Sequence, residues 1–173
     1  FRDLVDLNEK SELVLTIHDQ WFMTGHCAYS LDCERWKLGC GQCPYLNTYP
    51  AIRRDRTKKN LEYKRSIIQN LKINAVCPSR YILNMLKLSS LSSYINNCEI
   101  IYNGIDTNYF RPLNTDRHTN GYDPKDLIIL CVANNISNNE FKDFHSTKAI
   151  AQEVALELPE HNVRLIVAGS EQN

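Results

Sequence analysis

Several features that whole functional classes require are missing from this 173-residue sequence. It carries no excess of positive charge, since 20 Lys and Arg residues are balanced by 20 Asp and Glu residues, which argues against a nucleic-acid-binding module such as a zinc finger. No apolar run approaches the roughly 18 to 20 residues that a transmembrane helix needs. The first six residues lack the basic-then-apolar order of a signal peptide.

Solenoid-type repeats and low-complexity tracts are missing as well. The composition is instead that of a globular protein, because 43% of the residues are apolar, which is enough to form a packed core. We therefore expect a soluble chain. The sequence begins without methionine and ends just after a predicted strand, so we also expect both ends to be truncated relative to a longer parent protein.

Seven cysteines are present, and four of them fall within seventeen residues: Cys27, Cys33, Cys40 and Cys43. This cluster could supply four soft ligands to one structural zinc ion, or its thiols or disulfides could brace a loop. His26 is a fifth candidate ligand. The odd total, together with Cys77 and Cys131 inside apolar runs, argues against a full disulfide framework and fits a reducing cytoplasm.

The hydrophobic pattern predicts strands that alternate with helices. In the first part of the chain it predicts strands at 12–17, 73–77 and 99–102 and helices at 57–71 and 80–88. A polar stretch at 107–125 without apolar periodicity reads as a linker. Beyond it, the pattern predicts strands at 127–133 and 163–168 and a helix at 146–158. This order is typical of an α/β fold with doubly wound parallel sheets.

Five segments, taken in order, resemble family-4 glycosyltransferases, especially the bacterial branch that builds exopolysaccharides such as colanic acid. The segments are Leu-Thr-Ile-His-Asp at 15–19, the Cys-rich loop at 24–44, Pro-Ser-Arg at 78–80, Asn-Gly-Ile-Asp at 103–106 and Phe-Arg-Pro at 110–112. The resemblance extends from about residue 12 to residue 169. Each motif is weak alone, but their order is specific.

The resemblance implies the GT-B fold, in which two Rossmann-like domains face each other across a cleft, and sugar transfer with retention of anomeric configuration. Residues 1–110 would be the carboxyl-terminal half of the acceptor-side domain, 111–126 the interdomain linker, and 127–173 the start of the donor-side domain. The family's Gly-rich acceptor loop and its Glu-x7-Glu segment would lie outside the sequence. We therefore expect this chain to be inactive by itself.

Catalytic roles are implied for two adjacent residues. His18 resembles the family histidine at the end of an acceptor-domain strand, near the transferred sugar and the donor phosphates. An imidazole there can donate to a developing charge or orient an acceptor hydroxyl, although a histidine can also simply form a hydrogen bond at a strand end. Asp19 could orient His18 or cap the loop that follows.

Lys142 resembles the lysine of the family's Arg-Lys-Gly segment, which meets the donor diphosphate. A cation is useful there because the leaving nucleotide gains negative charge. Phe141 and Asp143 replace the usual Arg and Gly, so a solvated surface lysine is the alternative. The same resemblance assigns to donor binding the loop residues Asn103, Gly104 and Asp106, with Gly104 permitting positive φ and a close backbone approach.

Four further residues are assigned to the acceptor side by the resemblance: Trp21, His26, Ser79 and Arg80. A hydroxyl and a cation at a helix start can help bind an anion, but both can also be structural. Trp21, Tyr29 and Trp36 could stack on sugar rings or pack the small core of the Cys-rich loop.

The leading hypothesis is a glycosyltransferase fragment that uses a UDP- or GDP-sugar donor and a glycan or lipid-linked acceptor, in the cytoplasm at the inner membrane face, with peripheral membrane association. The family generally needs no catalytic metal, so any zinc would be structural. The alternative is a non-catalytic, zinc-braced α/β module that binds a partner or ligand.

Overall fold

A computed structural model of the chain describes residues 3–112, 121–123, 125–136 and 141–169. The chain forms two compact units, Phe1–Asp106 and Thr107–Asn173. The predicted linker at 111–126 lies partly outside the described residues, and the division into 1–110, 111–126 and 127–173 stays a prediction.

The first unit is a parallel sheet with helices between its strands. Its helices are α1 (Asp3–Asn8), α2 (Thr57–Ile68) and α3 (Arg80–Leu88), and its strands are β1 (Leu13–Thr16), β2 (Ile73–Cys77) and β3 (Ile95–Ile100). Short 3₁₀ helices lie at Trp21–Met23, Arg35–Lys37 and Ser92–Tyr94. The strands pair in the order β1-β2-β3, all parallel.

The core of the first unit includes one face of the central strand, β2, formed by Ile73, Ala75 and Cys77. Three of its five residues are buried and the other two are half-buried, as expected for a strand between two neighbours and under helices. From α2, Leu61 and Ile68 reach this core, and from α3, Ile82 and Leu86 do. The two pairs are seven and four residues apart, spacings that place each pair on one helix face.

The second unit contains two parallel strands with a helix between them. These are β4 (Leu127–Val132), α4 (Phe144–Glu157) and β5 (Val163–Ala168). Gly169 follows β5 and passes so close to β4 that a Cβ atom there would lie 1.8 Å from the carbonyl oxygen of Ala133. Glycine is therefore the residue that this approach accepts.

The predicted α/β class with parallel strands is confirmed, and it is consistent with part of a GT-B architecture. The predicted bounds of β2, α3 and β5 agree with the structure. The strand predicted at 99–102 begins four residues earlier, at Ile95. The prediction missed this start because Asn96 and Asn97 interrupt the apolar pattern. In the structure, the Asn97 side chain donates a hydrogen bond to the Asn74 side chain of β2. Helix α1 was not predicted.

The predicted start of α2 at residue 57 agrees with the structure. Thr57 is the first residue of the helix and does not cap it. Asp55 supplies the cap instead, since its Oδ1 accepts hydrogen bonds from the Thr57 backbone N–H at 3.0 Å and from the Thr57 hydroxyl at 2.7 Å. None of the helices among the described residues is long and apolar enough to cross a membrane.

Gly25 offers a test of how the loop before α2 is held. A Cβ atom at Gly25 would lie 2.4 Å from the carbonyl oxygen of Thr57 and 2.6 Å from its Cβ. Gly25→Ala should therefore lower the free energy of unfolding by about 1–3 kcal/mol through overpacking, as measured by urea denaturation. Gly39→Ala is the matched control, because a Cβ there meets nothing within 4 Å. Equal destabilisation by both changes would contradict this packing.

Candidate functional site

The carboxyl ends of the three strands of the first unit lie along one edge of the sheet. Parallel pairing puts them there: Thr16 of β1 lies beside Val76 of β2, and Cys77 of β2 lies beside Ile100 of β3. Ligands of open α/β sheets bind at this edge. The predicted site residues that follow the strands are His18 and Asp19 after β1, Ser79 and Arg80 after β2, and Asn103, Gly104 and Asp106 after β3.

A cavity of about 410 Å³ lies beside the end of β1. It brings together three predicted site residues, His18, Asp19 and Trp21, with apolar side chains such as Leu15 and Phe22 forming the rest of its wall. His18 and Asp19 are exposed, and Trp21 is 43% exposed. An aromatic face, an imidazole and a carboxylate in one cavity of this size are groups that can bind a polar organic ligand.

Asp19 orders the loop that follows β1. Its Oδ1 accepts a hydrogen bond of 2.8 Å from the backbone N–H of Trp21. Across the described residues, no hydrogen bond joins Asp19 to His18. Of the two roles considered for Asp19, the structure therefore shows capping of the loop. The same hydrogen bond fixes the position of Trp21 relative to His18.

Lys64 of α2 is a site residue that sequence reasoning missed. It is only 4% exposed, and its ammonium group donates hydrogen bonds to the carbonyl oxygens of Trp21 and, at 2.9 Å, of Thr24. Its Nζ also lies 3.7 Å from the centre of the Trp21 ring, a cation–π contact. Burial lowers the pKa of Lys64 to about 8, so the ammonium form persists below that pH.

The four clustered cysteines line one small cavity of about 20 Å³, together with His26. A volume of this order accommodates one water-sized particle or ion. The cavity lies inside the loop between β1 and α2, next to the buried Trp36. All seven cysteines of the chain are described and carry free thiols.

Three atoms in this cavity are spaced for a shared metal ion. The ligand atoms of His26, Cys27 and Cys43 all lie within 4.8 Å of one another. Two sulfurs that each bind zinc at about 2.3 Å can be at most about 4.6 Å apart, so the observed spacing is close to that of a metal site. Cys33 and Cys40 line the same cavity and could supply the remaining ligand.

The orientation of His26 fits a metal ligand. Its Nδ1 lies 3.0 Å from the carbonyl oxygen of Pro50, so Nδ1 carries the proton and donates. Its Nε2 then presents a lone pair toward the Cys43 sulfur, 3.3 Å away. This arrangement, with one ring nitrogen held by a backbone carbonyl, is typical of metal-bound histidines. His26 is 3% exposed, so it lies inside the loop and not on an acceptor-facing surface.

The thiols of the cluster affect one another electrostatically. The pKa of Cys27 is raised to about 12, first by burial and then by the nearby Cys43, Cys40 and Cys33. Burial also raises the pKa of Cys40, whose sulfur accepts a hydrogen bond from the Gly25 N–H at 3.3 Å. Several thiolates this close together would need a cation to coexist, and a bound metal ion supplies that charge.

The aromatic residues of the loop have different surroundings. Trp36 is buried and packs in the core, so it is not placed to stack on a sugar. Tyr29 is exposed and stacks on Tyr81 of α3, with ring centres 6.1 Å apart and an interplanar angle of 13°. This contact places part of the Cys-rich loop beside the start of α3.

Ser79 caps α3, because its hydroxyl accepts a hydrogen bond of 3.2 Å from the Ile82 N–H. Arg80, the first residue of that helix, is exposed. After β3, Asn103, Gly104 and Asp106 are exposed in a segment without regular structure. Gly104 does not have a positive φ, and a Cβ there would meet only open space, so neither feature expected of this glycine is present.

Lys142 lies in the second unit and is exposed. The next residue, Asp143, has the left-handed conformation (φ 42°, ψ 60°) that favours glycine, which is the residue the resemblance places there. The Asp143 carboxylate caps α4 by accepting hydrogen bonds from the Ser146 N–H and hydroxyl, and these bonds lower its pKa. The carboxylate is therefore used within its own helix.

Replacing Lys64 tests whether its ammonium group holds the loop. Lys64→Met leaves the carbonyl oxygens of Trp21 and Thr24 without this donor, which should lower the free energy of unfolding by about 2 kcal/mol or more. The measurement is urea denaturation at pH 7. Lys59→Met, on the exposed face of the same helix, should change it by no more than about 0.5 kcal/mol. A loss no larger than that of the control would contradict the assignment.

Comparison with known proteins gives one relative. The chain is 39% identical over 97 residues to the Escherichia coli strain K12 protein WcaC, which is named as a colanic acid biosynthesis glycosyl transferase, a role its name marks as provisional. The matched region makes up 54% of this chain and 23% of the relative, so the chain corresponds to about a quarter of that protein. No protein-family model and no solved structure matches the chain.

Proposed function

We propose that this chain forms part of a retaining, family-4-like glycosyltransferase of cell-surface polysaccharide synthesis. The donor would be a UDP- or GDP-sugar, the acceptor a glycan or a lipid-linked sugar, and the location the cytoplasm, at the inner membrane face. The observation that carries the proposal is the identity of 39% over 97 residues with a relative named as a glycosyl transferase. The parallel sheet and the cavity at the end of β1 support it.

The cavity beside β1 would hold the reacting sugars. His18 at the strand end would donate a hydrogen bond to charge that develops in the transition state, or orient the attacking hydroxyl. Trp21 would stack on a sugar ring, and Asp19 would keep Trp21 in place. Lys64 would hold the same loop in place by donating hydrogen bonds to the carbonyl oxygens of Trp21 and Thr24.

The remaining predicted residues would act at the same sheet edge or on the donor. Ser79 and Arg80 would border the acceptor, and Asn103, Gly104 and Asp106 would border the donor. Lys142 in the second unit would meet the donor diphosphate and stabilise the leaving nucleotide.

We further propose that the cysteine cavity holds one structural zinc ion and that catalysis needs no divalent metal. His26, Cys27 and Cys43 would provide three ligands, with the fourth from Cys40 or Cys33. When bound, the metal would neutralise the charge of the cysteine thiolates and cross-link a loop that has little regular structure. The Nδ1 contact of His26 with Pro50 supports this ligand set because it fixes the ring.

Substitution of His18 tests the catalytic proposal. The assay measures release of UDP or GDP from a panel of nucleotide sugars with glycan and lipid-linked acceptors, using the full product of the gene that encodes this chain. His18→Ala should lower kcat/KM by about 10²-fold or more, because a preorganised donor to the transition state is lost. The anomeric configuration of the product, read by NMR, should match that of the donor.

His161→Ala is the matched control for that experiment. His161 lies before the amino end of β5, where its Nδ1 contacts the Lys125 carbonyl oxygen, and its loss should leave kcat/KM within about threefold. Inversion of configuration would overturn the retaining mechanism alone. An equal loss of activity in both variants would argue against a role for His18 in the reaction.

The zinc proposal predicts about one zinc ion per chain in elemental analysis of protein purified without added metal. Cys43→Ser should abolish stoichiometric zinc and lower the melting temperature, because a ligand is removed and the loop loses its cross-link. Cys131→Ser, in the second unit, should retain the metal. Metal-free protein with four readily titrating thiols would refute the site.

A non-catalytic, zinc-braced α/β binding module is the second candidate. The observation that favours it is Asp143, whose carboxylate stands next to Lys142 where an anionic donor would bind. Calorimetry of the full product of the gene with UDP- and GDP-sugars separates the two candidates. The enzyme should bind at least one of them, and the binding module should bind none.

A further inference from the structure

A second large cavity, of about 620 Å³, lies at the start of α2, away from the residues assigned to the sugar site. Its charged lining consists of five cationic side chains and one carboxylate: Arg35, Arg54, Arg56, Lys58, Lys59 and Asp55. We call it the basic pocket. The chain as a whole is neutral, so this concentration of positive charge is a local feature of the fold.

The sequence around the basic pocket explains the concentration. Five of the seven residues at 53–59 are basic, and the turn into α2 folds four of them around one cavity. Arg35 joins them from the Cys-rich loop, where its guanidinium donates to the Gly41 carbonyl oxygen and to Gln42 Oε1, each at 3.3 Å. Walls of low dielectric focus such a field on any anion that enters.

Asp55 contributes one negative charge, so the lining keeps an excess of four positive charges. The Asp55 oxygens accept hydrogen bonds from the Cys43 N–H at 2.8 Å and from Thr57, which holds the carboxylate at the turn into α2. Because Asp55 already uses the first N–H group of α2, the attraction for an anion comes from the cationic side chains and not from the helix terminus. Arginine forks among those side chains match phosphate oxygens in pairs.

A neighbouring cleft of about 360 Å³ extends the basic pocket, since the two share Arg35, Cys40, Gly41 and Lys58. The cleft adds one cation, Arg65, one carboxylate, Glu62, and Leu38, which is 90% exposed. The apolar Leu38 offers contact to an organic group that extends from an anion in the basic pocket.

We propose that the basic pocket binds a diphosphate group, carried by a small molecule whose organic part lies along the cleft beside Leu38. Five cations exceed what one phosphate needs, and 620 Å³ exceeds its size, whereas a diphosphate and its substituent fit the charge and the volume. The diphosphate could be part of a nucleotide or of an isoprenoid. This proposal does not depend on glycosyl transfer.

Calorimetry on the 173-residue chain with inorganic pyrophosphate tests the proposal. Wild type should bind it in a salt-sensitive manner. The double variant Arg54→Gln with Lys59→Gln should bind it about tenfold or more weakly, because two of the cations that line the pocket are removed. Circular dichroism should show both proteins folded, since the two side chains are exposed.

The double variant Arg53→Gln with Lys72→Gln is the matched control. It removes the same charge from exposed positions that do not line the pocket, so pyrophosphate affinity should change by less than about twofold. The same calorimetry with UDP and with farnesyl diphosphate identifies the organic part of the ligand. Whichever binds more tightly than pyrophosphate, and loses that advantage in Leu38→Ser, gives the source.

Three outcomes would overturn the proposal. The first is no detectable binding of pyrophosphate at millimolar concentration and low salt. The second is equal weakening by the pocket variant and the control variant, which would mean diffuse charge attraction. The third is co-sedimentation with phosphatidylglycerol vesicles that pyrophosphate does not reverse, which would make the basic residues a membrane contact.

Discussion

The buried ammonium group of Lys64 connects the edge of the sheet to the long loop that follows β1. Between β1 and α2 the chain runs for about forty residues with only two short 3₁₀ helices. Such a segment cannot satisfy its own backbone through regular structure, so its buried carbonyl groups need donors from elsewhere. Lys64 supplies a donor to Trp21 and Thr24, at the two sides of the turn that separates the cavity beside β1 from the Cys-rich loop.

Other buried polar contacts extend this anchoring through the loop. Gln20 is fully buried, and its backbone N–H and its side-chain oxygen bond Ala28 and Ser30, which closes the loop on itself. Phe22 and Met23 join the core at the start of this segment, but within the Cys-rich loop at 24–44 Trp36 is the one large apolar side chain that is buried. A loop with this little hydrophobic core is the kind of segment for which a metal ion supplies folding energy.

The regular elements were predictable because their signals are local. The apolar run at 73–77 and the Pro78-Ser79 turn define the end of β2 and the cap of α3, and both agree with the structure. The clustering of the cysteines was also visible, since spacing alone brought them to attention. The start of β3 was not, because Asn96 and Asn97 are poor strand formers that tertiary pairing overrides.

The roles of individual polar residues were harder to predict, because they depend on which partner the fold brings close. Lys64 reads as one of several charges on an amphipathic helix, although its spacing from Leu61 and Ile68 places it on their buried face. In the sequence, His26 could be an acceptor-side residue or a fifth metal ligand, and its contacts with Pro50 and Cys43 place it inside the loop. The equal numbers of basic and acidic residues in the whole chain likewise conceal the concentration of basic residues at 53–59.

The cysteine cavity and the basic pocket are physically coupled, because Cys40 and Gly41 line both. Gly41 has φ 98°, and its N–H bonds the hydroxyl of Thr57, which is itself fixed by Asp55. A ligand that orders Cys40 on one side would also order the wall of the basic pocket on the other, which would lower the conformational cost of a second binding event. If the loop binds the proposed metal and the pocket the proposed anion, each should therefore favour the binding of the other.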